Sequence, residues 1–262
     1  MSKQSKKKPN LPPVPAEQRA ASADRRAAAA QLMQQQRRRD RRRTVLIQVA
    51  VGLVAVVAVV ATTLVVLSQR DGDGAVATTP PGLTEDGAVR FGAADAPVTL
   101  QAVEDFQCPA CRQFEQANVD LLTSYREGDQ VAVEYRPIAF LDRMSTTGYS
   151  TRALNASMCV LEDAGKDAWL AMHQSLYEQQ PPEGGAGLPD DQLVGMAEDA
   201  GAGGAVEGCI DDGRYDDWAA QQTADVFSGE VSGTPTVFVN GTKLGGTDTA
   251  SIQKAVAEAG AK

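Results

Sequence analysis

Pro97-Val98-Thr99-Leu100-Gln101-Ala102-Val103-Glu104-Asp105-Phe106-Gln107-Cys108-Pro109-Ala110-Cys111 decides how the rest of this chain is to be read. The segment 97–103 is apolar and β-branched enough for a strand. From Pro109 to about Arg126 the pattern is helical, with Pro at the first helical position, where its missing N–H costs nothing. Cys108 then stands where a helix N-cap stands. The unpaired N–H groups and partial positive charge of a helix start stabilise a thiolate there. A stabilised thiolate attacks at lower pH and leaves a mixed disulfide readily. Cys111 follows one turn on, facing the same way, placed to attack that mixed disulfide. The pair suits thiol–disulfide exchange.

Downstream, 131–138 (Val-Ala-Val-Glu-Tyr-Arg-Pro-Ile) reads as a second strand, which makes a strand–helix–strand crossover with parallel strands. Strand character then stops for almost a hundred residues. Segments 150–164, 167–180, 190–200, 205–211 and 216–227 all read as helices, with a Pro189-Asp190-Asp191 start signal and a Pro181-Pro182-Glu183-Gly184-Gly185 loop between them. Strand 235–239 follows. Asn240-Gly241 signals a hairpin into Thr242-Lys243-Leu244, and a last helix covers about 249–259. The order is β-α-β, a helical block, then β-β-α.

Upstream, residues 1–43 carry thirteen Lys/Arg against Glu17, Asp24 and Asp40, a basic tail. Residues 44–67 carry no charge and are dominated by Val, Ala and Leu. As a helix they would span roughly 36 Å, enough for a hydrocarbon core of about 30 Å. Basic residues against the N-terminal end of such a span predict a cytoplasmic tail and an exported remainder. The competing reading is a cleaved signal peptide, with Ala75-Val76-Ala77 as the cleavage site. Residues 68–86 read as a flexible linker and 87–262 as one exported domain, its helical insertion at about 145–228. Beyond Ser68 there are 12 Lys/Arg and 31 Asp/Glu, which disfavours nucleic-acid binding by that part.

The stretch Glu104-Asp105-Phe106-Gln107-Cys108-Pro109-Ala110-Cys111 resembles the active-site segment of DsbA-like thioredoxin-fold proteins. Val231-Ser232-Gly233-Thr234-Pro235-Thr236-Val237-Phe238-Val239-Asn240-Gly241 resembles that family's cis-proline loop, strand and hairpin. The resemblance covers roughly 88–260 and is to the membrane-anchored Gram-positive type. It implies an α/β thioredoxin-like fold with a helical insertion, preceded by one transmembrane helix. It further implies a cis Pro235 beside the two cysteines, and a Thr234 backbone edge that pairs with an extended substrate segment. It implies reduced or unfolded exported proteins as partners, and a membrane reoxidase of the DsbB or vitamin K epoxide reductase type. No diffusible cofactor and no metal is needed. Two departures stand out. Pro109-Ala110 replaces the His-containing pair of the best-known oxidase, and Ala102 occupies the position where the family often has a buried acid. Glu104 lies two residues on, on the same strand face. It is a candidate proton relay, or else an exposed charge at a strand end.

Cys159 and Cys209 are left over on two insertion helices. They read as a structural disulfide, with a second redox pair as the alternative. A zinc half-site at Cys108 and Cys111 lacks further ligands, since His173 is the one histidine. His173, with Trp169 and Tyr177 at i±4, reads as a helix-surface or packing residue. Met144, Met158 and Met172 read as core or groove packing. The expected function is a membrane-anchored oxidoreductase that introduces disulfides into exported proteins. Its rivals are a reductase or isomerase of exported disulfides, and a chaperone-like binder of unfolded exported chains.

Overall fold

A five-stranded sheet in the order β1-β3-β2-β4-β5 carries the molecule. The structure is a computed structural model and describes residues 77–261. The basic tail, the apolar span 44–67 and the linker as far as residue 76 lie outside the described residues. Within them no helix is long and apolar enough to cross a membrane.

The elements run β1 (Val89–Phe91), β2 (Val98–Glu104), α1 (Pro109–Glu127), β3 (Val131–Pro137), a 3-10 turn (Phe140–Arg143), α2 (Tyr149–Glu178), α3 (Asp190–Asp199), α4 (Ala205–Asp211), α5 (Asp216–Phe227), β4 (Thr236–Val239), β5 (Thr242–Lys243) and α6 (Thr249–Gly260). β2 and β3 are parallel across the α1 crossover, with Leu100 opposite Val133. β4 returns antiparallel to β2, placing Thr236 opposite Val103. The loop before β4 is thereby brought to the C-terminal end of β2, where the cysteines begin. Asn240 (φ 45°) and Gly241 (φ 76°) make the β4–β5 turn. The Asn240 carboxamide oxygen accepts from the Thr99 N–H at 2.7 Å, fastening the hairpin to β2.

Helix α2 is two helices joined at Gly165, whose backbone (φ 83°, ψ −174°) leaves the helical region. A side chain is strained at that φ, and glycine is not. The break lets the second half of α2 turn its aromatic face onto the sheet. Tyr135 of β3 meets Trp169 at 5.8 Å and His173 at 4.6 Å between ring centroids, and Phe91 meets Trp169 at 6.2 Å. Each large side chain buried this way stabilises the fold by roughly 1.5–3 kcal/mol, and together they weld insertion to sheet.

Two readings need correction. The last part of the linker is not a free stalk: Pro80 is buried, and the Thr84 N–H donates to the Ala88 carbonyl at 2.8 Å. Asp86 accepts from the Gln101 carboxamide at 2.7 Å, and the short strand β1 follows at once. Met144 is 43 % exposed, whereas Met158 and Met172 are core residues.

Candidate active site

The turn from β2 into α1 is held from three sides. The Asp105 carboxylate, fully buried, accepts from the Gln107 N–H (2.8 Å), the Ser150 hydroxyl (2.7 Å) and the Leu141 N–H (2.8 Å). It thus ties the turn to α2 and to the 3-10 turn. The Gln180 side-chain amide donates to the Phe106 and Cys108 carbonyls at 3.0 and 2.9 Å. The Gln107 amide donates to the Pro182 and Gly185 carbonyls at 3.3 and 3.4 Å. The loop after α2 therefore clasps the residues that present the thiols.

Cys108 is the N-cap of α1 (φ −79°, ψ 115°), with Pro109 behind it and no side chain capping the helix. Cys108 and Cys111 are both free thiols; 7 % of Cys108 reaches solvent and none of Cys111. The Thr234–Pro235 peptide bond is cis, and the Thr234 carbonyl oxygen lies 3.4 Å from the Cys108 sulfur. Cys108, Cys111, Thr234 and Pro235 thus form one cluster, with Glu104 at the end of β2 beneath it.

The two thiols are electrostatically opposite. A hydrogen bond from Cys111 does most to hold Cys108 down, with smaller help from Thr234 and from the N–H groups of Cys111 and Ala110. Together they overcome burial and bring the Cys108 pKa to about 6. Burial pushes the Cys111 thiol well up, as does its hydrogen bond to Cys108. At neutral pH the outer sulfur is a thiolate and the inner one a thiol. The ultraviolet thiolate absorbance of the reduced protein should therefore rise with a midpoint at about pH 6 and vanish in Cys108→Ser. A single transition near the ordinary thiol value of about 8.5 would contradict this arrangement.

Glu104 is 2 % exposed, so its reading as an exposed strand-end charge is overturned: β2 ends beneath the insertion, not in solvent. One carboxylate oxygen lies 3.3 Å from His173 Nε2. His173 is correspondingly not on a helix surface; it is 1 % exposed. Glu115, one turn beyond Cys111, completes a group whose ligand-type atoms lie within 4.8 Å of one another. Burial raises Glu104 well above the carboxylate range, with the Glu115 charge adding to it. Burial also raises Glu115, to about 7, against the pull of Arg126. Burial and, after it, the Arg126 charge together lower His173 to about 3. Glu104 and His173 therefore meet as a neutral acid donating to a neutral imidazole. The Arg126 charge beside the group disfavours a bound cation, so we read it as an acid–base cluster.

Cys159 and Cys209 are joined at 2.00 Å between sulfurs, linking α2 to α4. Their surroundings, including Glu162, Asp163, Val206 and Arg214, share no residue with the Cys108 cluster. Asp105, Glu115 and Gln180 were not picked out from the sequence. Only Asp105 carried a signal there, as an acid directly behind an apolar strand and before the first cysteine.

A family model described as thioredoxin matches residues 84–258. Among solved structures, the chain is similar to oxidised DsbA of Mycobacterium tuberculosis, at 31 % identity and a TM-score of 0.58, covering 67 % of this chain and 93 % of that one. It is similar also to the reduced disulfide bond oxidoreductase DsbG of the same organism, at 29 % identity and a TM-score of 0.58, covering 71 % and 96 %. Among curated proteins it is 30 % identical over 160 residues to the serine/threonine-protein kinase PknE of M. tuberculosis, covering 57 % of this chain. The chain spans 28 % of that relative's length.

Proposed function

The chain belongs to the thioredoxin family, and from that premise we propose that it introduces disulfides into exported proteins. Thiol–disulfide oxidoreduction of the DsbA type is the chemistry of its domain. A substrate thiolate attacks the Cys108 sulfur of the oxidised pair; the Cys108–Cys111 bond breaks and Cys111 leaves and takes up a proton. A second substrate thiolate attacks the substrate sulfur of the mixed disulfide. The substrate disulfide forms, Cys108 leaves as thiolate, and two electrons stay on the enzyme. The cis-Pro235 loop offers the Thr234 backbone beside the Cys108 sulfur as the edge on which an extended substrate segment pairs. Glu104 serves Cys111 as proton relay. A membrane reoxidase of the DsbB or vitamin K epoxide reductase type removes the electrons. The apolar span 44–67 holds the chain in the cell membrane as a single-pass anchor, its basic N-terminal tail cytoplasmic and its catalytic domain extracytoplasmic.

What supports the oxidising direction is the place of the Cys108 sulfur at the N-cap of α1 with no side chain capping the helix, which together with the hydrogen bond from Cys111 draws its pKa to about 6. A depressed thiol pKa stabilises the reduced native protein above that pKa, and the gain is lost as pH falls through it. Between a thiol of ordinary pKa about 8.5 and one of about 6, the gain at pH 7 is about 1.4 kcal/mol, or about 30 mV for a two-electron couple. Thioredoxin, with its nucleophile near 7, and DsbA, with its own near 3.5, bracket this value. The reduction potential, measured against glutathione buffers, should fall between about −270 and −120 mV. Its slope should change from about −59 to about −30 mV per pH unit on passing pH 6, because only one proton then accompanies reduction. A potential at or below about −270 mV would make the protein a reductase.

A further inference from the structure

We propose that Asp105 is a positioning residue of the exchange reaction, one that fixes where the Cys108 sulfur stands against the start of α1 and the Thr234 carbonyl. The inference deepens the reading of Cys108 as the nucleophile and rests on it. A helix is ordinarily entered through an N-cap side chain whose oxygen holds an N–H of the first turn and so fixes the path of the chain. Cys108 occupies that place, and its side chain makes no such bond. The sulfur that does the chemistry is therefore not held by a cap of its own. The backbone beneath it has to be held from elsewhere, and Asp105, three residues upstream, holds it.

The bonds of Asp105 fall into two sets. Within the turn, its carbonyl accepts the Cys108 N–H at 2.9 Å and its Oδ1 accepts the Gln107 N–H at 2.8 Å. The two backbone donors nearest the sulfur thus end on one residue. Across the fold, Oδ1 accepts the Ser150 hydroxyl at the start of α2 (2.7 Å), and Oδ2 accepts the Leu141 N–H in the 3-10 turn (2.8 Å). No surface of Asp105 is exposed. A carboxylate is costly to bury, and a serine or asparagine would suffice for the turn alone. The carboxylate is needed because each of its three partners offers a proton; an asparagine would set its own NH2 against an N–H or hydroxyl. The start of the insertion is joined in this way to the residues that carry Cys108.

Charge and position make opposite demands at this place. Burial does most to raise Asp105 to about 6, and the Cys108 thiolate adds to it. By reciprocity the Asp105 charge disfavours that thiolate. The Tyr149 and Tyr177 phenols of α2 also face Asp105 and are held neutral by burial. As a charge alone, then, Asp105 works against the nucleophile. As a brace it works for it. The bonds that bring Cys108 to about 6 come first from Cys111, then from Thr234 and the N–H groups of Cys111 and Ala110, and each depends on where the sulfur stands. Removing the carboxylate lowers the Cys108 pKa where charge dominates and raises it where position dominates.

The test is the ultraviolet thiolate titration of the reduced full-length chain, with the reduction potential and urea stability measured on the same preparations. D105N should raise the Cys108 midpoint by about one pH unit, the effect of one lost hydrogen bond to a charged group. The equilibrium constant with glutathione at pH 7 should then fall about fivefold, about 20 mV toward the reducing side. S150A removes one anchor of the brace and leaves the Asp105 charge in place; it should raise the midpoint by about half a pH unit. N118A is the control for loosening at large. The Asn118 amide donates to the Thr247 carbonyl at 3.1 Å and its oxygen accepts from the Thr249 hydroxyl at 2.8 Å, about two turns beyond Cys111. N118A should lower stability to urea and leave the thiol midpoint at about 6. A D105N midpoint that is unchanged or lowered overturns the inference, and so does an equal rise in N118A. If D105N does not fold, S150A decides on the same terms. Failure in the variants alone leaves Cys108 standing as the nucleophile, whereas an unaltered protein that titrates near the ordinary value of about 8.5 overturns that assignment and the inference with it.

Discussion

The Cys111→Ser protein is expected to lose turnover completely and to accumulate as mixed disulfides through Cys108. Two sulfurs are needed to carry two electrons, so either cysteine variant ends thiol–disulfide turnover, but the two should differ in what they trap. Cys108 is the thiol with access to solvent and a pKa of about 6, so it remains a nucleophile when its partner is gone. Cys111 has no exposed surface and a raised pKa, so Cys108→Ser leaves a sulfur that neither reaches a partner nor ionises at neutral pH. The choice of replacement also matters. The hydrogen bond from Cys111 is the largest single influence holding Cys108 down. Serine retains a donor at that place; alanine does not. Cys111→Ala should therefore raise the Cys108 pKa and trap partners more slowly at pH 6 than Cys111→Ser does. Non-reducing electrophoresis of both variants, with thiol titration of each, measures this. Mixed disulfides that form through Cys111 in Cys108→Ser would reverse the assigned roles.

The cysteine pair was legible because its chemistry is local. A strand, a Pro at the first helical position and a thiol at the N-cap are features of a few adjacent residues, and α1 begins at Pro109. The insertion helices were legible for the same reason, since the period of their apolar residues needs no partner. The break in α2 falls at Gly165, inside the gap between the two helices expected there. What surrounds the cysteines was not legible, because it is made by packing across long separations. Glu104 meets His173 across 69 residues. Nothing in either local pattern announces that an acid at a strand end and a histidine on an insertion helix share one dry site. Gln180 reaches the Cys108 carbonyl across 72 residues, from a segment whose sequence says only that a helix is ending. β1 escaped notice because its three residues become a strand through pairing with β3, not through any alternation of their own.

The second large effect concerns Cys159 and Cys209. The double variant Cys159→Ala, Cys209→Ala should unfold about 4 kcal/mol more easily, and melt about 8–16 °C lower, than the unaltered protein under non-reducing conditions. The size follows from the sequence separation of 50 residues, whose closure removes conformations from the unfolded chain. The location explains why so little else would compensate. α4 is seven residues long, too short to persist alone, and is held by Val206, Cys209 and Ile210 against the insertion. The Asn155 side chain adds a hydrogen bond to the Ile210 carbonyl at 3.1 Å and accepts one from the Tyr215 N–H at 2.9 Å. These bonds set the geometry of the α2–α4 contact but do not shorten the unfolded loop. Turnover should nevertheless survive at low temperature. Of the insertion residues that hold the Cys108 turn and its surroundings, His173 and Gln180 lie on the far side of the Gly165 break from Cys159, and Ser150 lies on the near side, at the start of that half-helix and more than two turns before Cys159. Loosening the first half of α2 therefore need not disturb them. Urea unfolding and turnover of the same preparation decide the matter together. A double variant that is fully folded and yet inactive would mean that electrons pass through Cys159 and Cys209, and that the insertion carries a second redox centre.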